Sequence, residues 1–303
     1  MTIEDNSMTE ITQTPVRTDA STETRRGSRP PTARRWLLWI LLGVGGLLMI
    51  APFYWTLATS FKTRQEVRQF PPTWYPEDFT LENWEGLTDL DVGDFGVFFR
   101  NSLVVVTTIT AITLLTSSLA GYVFAKFEFW GRNALFWIVI SMLMVPFSVT
   151  LVPLYNMMVD WGWTNTYRAL IVPIIFNPFG IFLMRQFMLD FPSELLDAAR
   201  IDGASEFGIF FRVVLPLSGA PLAALAIFTF TIQWDNFLWP LVILEDPSMY
   251  TLPIGLSQFR GRTGIDVGAV SAAAMLAVLP VLILYFFAQK RFIEGITMTG
   301  MKG

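Results

Sequence analysis

The chain has 303 residues, 53% of them hydrophobic and only 15% charged, with a formal net charge of −4. Soluble domains carry roughly 25% charged residues, so the deficit points to lipid as solvent, and so small a net charge implies neither nucleic acid nor another highly charged partner. There is no cysteine and no histidine, which excludes disulfides, thiol nucleophiles, Ser-His and Cys-His pairs, and the usual zinc and copper ligand sets.

Residues 1–33 are rich in Thr, Ser, Pro and Arg, with few large apolar residues. They cannot bury enough surface to fold and are expected to be a disordered tail. Charge-free intervals follow at 36–61, 101–125, 133–159, 169–184, 213–234 and 267–289. A spanning helix needs about 20 mostly apolar residues. Five intervals meet that length outright, and the fourth does so when it is extended through Arg185–Leu189, with the arginine reaching back to the interface. The first is too long for a cleaved signal, whose apolar core runs about 7–15 residues. An all-α polytopic membrane protein with six transmembrane helices is therefore expected. With the N-terminus inside, the inner segments hold 14 of the Lys and Arg residues and the outer segments 7. That asymmetry predicts cytoplasmic N- and C-termini. The predicted organisation is a tail at 1–33, a first helix and external loop at 34–98, a transmembrane domain at 99–289 with a cytoplasmic loop at 190–216, and a C-terminal tail at 290–303.

Inside this apolar chain, residues 194–217 read ELLDAARIDGASEFGIFFRVVLPL and carry six charges. Pro192 or Ser193 suits the start of a short helix, and Gly203 suits its end in the left-handed conformation. Ser205 is placed to cap a second helix climbing toward Leu215, with Pro216 opening the fifth span. Ala198 and Ala199 present almost no side chain, so another backbone can approach. Glu194 and Asp197 share a face and leave acids for basic partners. The same pattern also fits an amphipathic loop lying on the lipid interface. Further on, WDNFLWPL at 234–241 sets Asp235 in an apolar run. An acid deep in lipid costs about 2.5–3.5 kcal/mol, so Asp235 is expected either to face a wet cavity or to sit in the outer headgroup zone. Gln233 and Asn236 beside indole rings suit a neutral polyol.

The stretch DAARIDGASEFGIFFRVVLP resembles the signature of ATP-binding-cassette importer permeases: Glu-Ala-Ala, three residues, Gly, nine residues, Ile-x-Leu-Pro. Here Asp197-Ala198-Ala199, Gly203 and Val213-Val214-Leu215-Pro216 keep every offset, with Asp in place of Glu and Val in place of Ile. The ending FIEGITMTGMKG is similar to that of the smaller permease in maltose-type sugar transporters, and WDNFLWPL is similar to a fifth-span stretch common in that branch, with the Asp and Asn exchanged. The resemblance implies a type I importer permease fold in the inner membrane, working by alternating access on a sugar or oligosaccharide. It implies that Glu194, Asp197, Ala198, Ala199, Asp202 and Gly203 form a coupling helix seated on an ATPase subunit. Gly300, Met301, Lys302 and Gly303 would then reach between the ATPases. Because the Asp and Asn are exchanged, the resemblance assigns no role to Asp235 or Asn236; Gln233, Asp235 and Asn236 are expected to line the cargo path on physical grounds. The implied partners are a second permease in a heterodimer, two ATPases carrying ATP and magnesium, and an extracytoplasmic solute-binding protein. None of Lys62, Lys126, Lys290 and Lys302 follows a glycine, so the chain lacks a phosphate-binding Walker loop. It is expected to bind no cofactor, hold no metal and catalyse no reaction. The alternatives are a different cargo such as a glycerol-phosphate ester, and a proton-coupled transporter that uses Asp235.

Overall fold

The structure, a computed structural model, describes residues 32–88, 94–261 and 264–300. The chain divides into two units, Met1–Met49 and Ile50–Gly303. Of the expected 1–33 tail, only residues 32–33 fall within the described residues, and they are already helical.

The first helix, α1 (Thr32–Ser60), is apolar along most of its length. Beyond it lie two short helices, α2 (Arg64–Val67) and α3 (Glu82–Glu85). Asn83 of α3 reaches back to the end of α1, where its amide donates to the carbonyls of Ser60 and Lys62 at 3.0 and 2.8 Å. A helix end leaves such carbonyls without a partner. Lys62 is buried; its ammonium donates to the Thr73 carbonyl and stands 4.8 Å from the centre of the Trp55 ring. Glu66 is buried beside it and accepts from the Thr73 hydroxyl at 2.7 Å and from the Glu77 N–H at 2.9 Å. Burial by itself raises this carboxyl's pKa. Hydrogen bonds from Glu77, Thr73 and Asp78, with the nearby Lys62 charge, outweigh burial and hold it below the usual 4.5.

A carboxyl with a depressed folded-state pKa contributes stability that is fully present above its unfolded pKa and is lost as pH falls through its folded pKa. The Tm of the detergent-purified chain is therefore expected to fall on acidification below about pH 4.5. Glu66→Gln should flatten that fall, because it removes the titrating group. Parallel melting curves of the two proteins across this range check the expectation, and equal slopes would contradict it.

The helix α4 (Phe95–Lys126) starts at Asp94, whose carboxylate accepts from the Gly96 N–H at 2.7 Å. Next come α5 (Arg132–Ser141) and α6 (Phe147–Asp160). The sequence predicted one span here, but the chain breaks at Val145–Pro146, and the two arms, Arg132–Met144 and Phe147–Asp160, are bent by 99°. Val145 is driven to extended backbone, φ −86° and ψ 112°, as the residue before a proline tends to be. The short α7 (Tyr167–Ile171) leads to α8 (Pro178–Leu189), with a 41° bend between Tyr167–Ile174 and α8.

Then come α9 (Ser193–Ile201), α10 (Glu206–Ile209), a π turn at Phe210–Val214 and α11 (Leu215–Leu217). Pro216 does not open the following span. The helical path from Glu206 runs through it, breaks at Ser218, and bends 78° into α12 (Gly219–Trp234). Pro216 and Pro221 lack N–H groups, so the carbonyls of Arg212 and Leu217 lose their helical donors on either side of the break. At the break the Ser218 hydroxyl donates to the Val214 carbonyl at 2.7 Å, beside the Ser218 N–H that the same carbonyl accepts at 3.0 Å.

The remaining elements are α13 (Leu238–Ile243), α14 (Leu252–Ser257), the two-residue antiparallel strands β1 (Arg260–Gly261) and β2 (Gly264–Ile265), and α15 (Val267–Gly300). The tail expected from residue 290 continues α15 as helix to Gly300, because no proline interrupts the chain after Pro280.

The helix α4 is the axis of the larger unit. It packs chiefly against α8 and α12, and α12 packs against α15. Small residues, Ser117 and Gly121 on α4 and Gly180 on α8, let these backbones come close. Among the described residues, three helices are long and apolar enough to cross a membrane, and the number rises to six if each bent pair is one span.

Candidate functional site

The charged stretch forms a small, rigid structure. Ser193 is the first residue of α9, with Glu194 in its first turn and Arg200 in its last, the charge order a helix dipole favours. At the far end the Gly203 N–H donates to the Arg200 carbonyl and the Ala204 N–H to the Ala199 carbonyl, both at 3.0 Å. This pair of bonds is a Schellman motif, and it needs a left-handed residue after the cap. Gly203 supplies it with φ +81°. Ser205 then caps α10, its hydroxyl accepting from the Gly208 N–H at 3.2 Å. Both local expectations, the left-handed glycine and the serine cap, are met.

Leu196, Ile209, Phe210 and Val214 turn inward and join Tyr122, Met184 and Met188 in one buried cluster. Arg200 ties the two short helices together. Its Nη1 donates to Asp197 Oδ1 and its Nε to Glu206 Oε1, both at 2.8 Å. Asp197 is therefore paired within the chain, where the sequence suggested an acid left for a partner. Glu194, Ala198 and Asp202 are exposed, and Ala199 is half-buried. The outer face also carries apolar residues that the sequence reading did not single out. Ile201 is 86% exposed and Phe207 68%. Both flank the Gly203 turn, and nothing in local periodicity separates them from inward-facing neighbours such as Ile209. Large apolar side chains held out by a firmly anchored helix pair, beside acids, suit contact with another macromolecule.

The second predicted site is only partly assembled. The side chains of Gln233 and Asn236 come together, Asn236 Nδ2 donating to Gln233 Oε1 at 3.1 Å. They line a crevice with Ser102, Thr251 and Trp239. Its volume of about 10 Å³ holds one water at most, so a sugar ring enters only if the helices part. Asp235 is not in the crevice; it is exposed just past the end of α12. The α12 helix stops at Trp234, so the acid that looked embedded in an apolar run meets open surroundings at a helix end. Gly300 closes the described part of α15, and Met301, Lys302 and Gly303 lie outside the described residues. Among the described residues, no group of three or more Asp or Glu side chains is placed to hold a metal ion.

Residues 114–297 match the family described as binding-protein-dependent transport system inner membrane component. The chain is 38% identical to the arabinooligosaccharides transport system permease protein AraQ of Halalkalibacterium halodurans, over 88% of this chain and 96% of that one. It is 33% identical to the sn-glycerol-3-phosphate transport system permease protein UgpE of Yersinia pestis, over 85% and 94% of the two chains. Among solved structures it is similar to a chain of a bacterial ABC transporter involved in the import of the acidic polysaccharide alginate. There the TM-score is 0.76 at 20% identity, covering 88% of this chain and 98% of the other.

Proposed function

This chain belongs to the family of binding-protein-dependent transport system inner membrane components, and from that premise we propose that it is the membrane-spanning permease of an ATP-driven importer for a sugar or oligosaccharide. The observation that carries the reading is the exposed, internally braced α9–α10 pair with Ile201 and Phe207 on its outer face.

In this reading the bent helix pairs each make one span, giving six, and both termini face the cytoplasm, as the lysine and arginine asymmetry favours. The helix α9 then lies on the cytoplasmic side and seats on an ATPase subunit. Glu194 and Asp202 offer charge, Ala198 and Ala199 allow close approach, Ile201 and Phe207 supply apolar area, and Asp197 and Gly203 hold the shape. Two ATPases with bound ATP and magnesium drive the cycle, a second permease completes the membrane core, and a soluble binding protein delivers the cargo. This chain makes and breaks no covalent bond. Gln233 and Asn236 form part of a cargo path that opens when the helices part. The end of the chain, Gly300–Gly303, extends toward the ATPases.

The similarity to an arabinooligosaccharide permease favours a neutral sugar, and the similarity to UgpE favours a glycerol-phosphate ester as second reading. A proton-coupled mechanism resting on Asp235 would leave the braced α9–α10 pair without a role.

The test is purification of the N-terminally tagged chain in mild detergent, followed by mass spectrometry and uptake assays in vesicles. An ATPase and a second permease are expected to co-purify, and uptake of an oligosaccharide is expected to require ATP and the binding protein. Uptake that persists without ATP would overturn the reading, and uptake of glycerol phosphate in preference to sugars would select the second cargo.

A further inference from the structure

The end of α4 grips the docking helix on both sides. Tyr122 and Lys126 are one helical turn apart and share a face of α4. Tyr122 is 2% exposed and donates its hydroxyl to Glu206 Oε2 at 3.1 Å. Glu206 stands just after the docking helix, and its other carboxylate oxygen takes the Arg200 Nε. Lys126 donates its ammonium to the Phe191 carbonyl at 2.7 Å, just before the docking helix. The Tyr122 ring is held edge-on to Phe127 at 5.4 Å and lies 5.7 Å from Phe210, so packing fixes where its hydroxyl points.

Besides the packing of Leu196 in the apolar cluster with Met184 and Met188, a displacement of α9 can leave it by three routes. The chain toward α8 passes through the helix end at Leu189–Asp190, and the chain toward α12 passes through the 78° break at Ser218. Both are places where the backbone can flex. The third route, through Tyr122 and Lys126, enters α4, an unbroken helix of 32 residues with no proline. Of the three, only this route is stiff along its whole length.

We propose that Tyr122 and Lys126 are positioning residues that carry movement of the docking helix into the transmembrane bundle, with Glu206 and Arg200 as the link. The inference rests on the reading of α9 as the ATPase-docking helix. It differs from a purely structural role in one respect: loss of the Tyr122 hydroxyl should spoil coupling more than folding, because a phenylalanine ring fills the same packed site.

The test uses the full complex in proteoliposomes and measures solute taken up per ATP hydrolysed. Tyr122→Phe is expected to keep its ATPase partners and its ATP hydrolysis, while uptake per ATP falls roughly five- to tenfold, the lower part of the range for coupling between sites. Glu206→Gln is expected to show the same split. The double variant should lose little more than Glu206→Gln alone, because that change already weakens the bond from Tyr122 along with the Arg200 ion pair. Lys126→Met reports the second contact independently. An unchanged ratio of uptake to hydrolysis in Tyr122→Phe would overturn the proposal. If that variant does not accumulate, an unchanged ratio in Glu206→Gln would do so. If the native chain captures no ATPase, the docking reading itself falls; if the native complex couples normally and the variants match it, this inference alone falls.

Discussion

Replacing Gly203 by valine is expected to abolish solute uptake while the chain still reaches the membrane at close to its native level. The cause lies in the backbone. Gly203 holds φ +81°, and a Cβ added there would meet nothing within 4 Å. Crowding is therefore no obstacle, and the cost comes from the left-handed conformation, about 1–2 kcal/mol for an ordinary L-residue and more for a β-branched one. The chain escapes that cost by rotating φ, which breaks the bonds from Gly203 to the Arg200 carbonyl and from Ala204 to the Ala199 carbonyl. Either change re-aims α9 relative to α10 and separates Arg200 from Glu206. The nine residues of α9 are mostly exposed, so the buried cluster around Met184 and Met188 loses little. Gly203→Asn is the control, because asparagine tolerates the left-handed region, and it should keep most of the uptake. Uptake, chain level and ATPase co-purification measured on both variants decide the matter. Normal transport by the valine variant would mean that the aim of α9 does not depend on this turn.

The parts legible in the sequence were those whose cause is local. The positions of α1, α4 and α15 follow from apolar length, which a count of charge-free residues measures directly. The Gly203 turn and the Ser205 cap are decided by one or two residues and their backbone preferences, so they too were readable. The breaks at Val145–Pro146 and Ser218 were not, because a charge-free interval says nothing about backbone geometry. The signal for the first was present in Pro146, and the second needed the paired effect of Pro216 and Pro221. The sequence leaves the place of Asp235 open between a cavity and the headgroup zone for a related reason: the apolar run continues through it, but the α12 helix does not. The Tyr122–Glu206 bond joins residues 84 positions apart. No periodicity or spacing could have announced it, since it exists only once α4 and α10 are packed against the same cluster. Exposure of Ile201 and Phe207 is likewise a tertiary property. Their neighbours Leu196 and Ile209 are of similar chemistry and are buried.

Gly121→Ala makes the opposite prediction to Gly203→Val, a large loss of stability from a single methyl group. An added Cβ at Gly121 would stand 2.7 Å from the Met184 Cβ and 2.9 Å from the Arg185 backbone nitrogen. Neither atom can swing aside as the tip of a long side chain would, so α4 and α8 must separate. Overpacking of this kind costs about 1–3 kcal/mol, and a clash with backbone belongs at the upper end. Separation also loosens the cluster beneath, where Met184, Met188 and Leu225 are fully buried, and in lipid no strong hydrophobic force draws the helices back together. A fall in Tm of roughly 6–12 °C is expected for a loss of about 3 kcal/mol, with less folded chain recovered from membranes. Tyr122 is the next residue on α4, so the same shift should also lengthen its bond to Glu206 and lower uptake by the protein that does fold. The two glycine variants thus separate two roles that a transport assay alone would merge. At Gly203 uptake is lost with only a small fall in Tm, whereas at Gly121 Tm falls steeply and uptake follows. A Gly121→Ala protein with native Tm would show that α8 yields at this crossing, and that the close approach of the two helices is not what holds the cluster under the docking segment together.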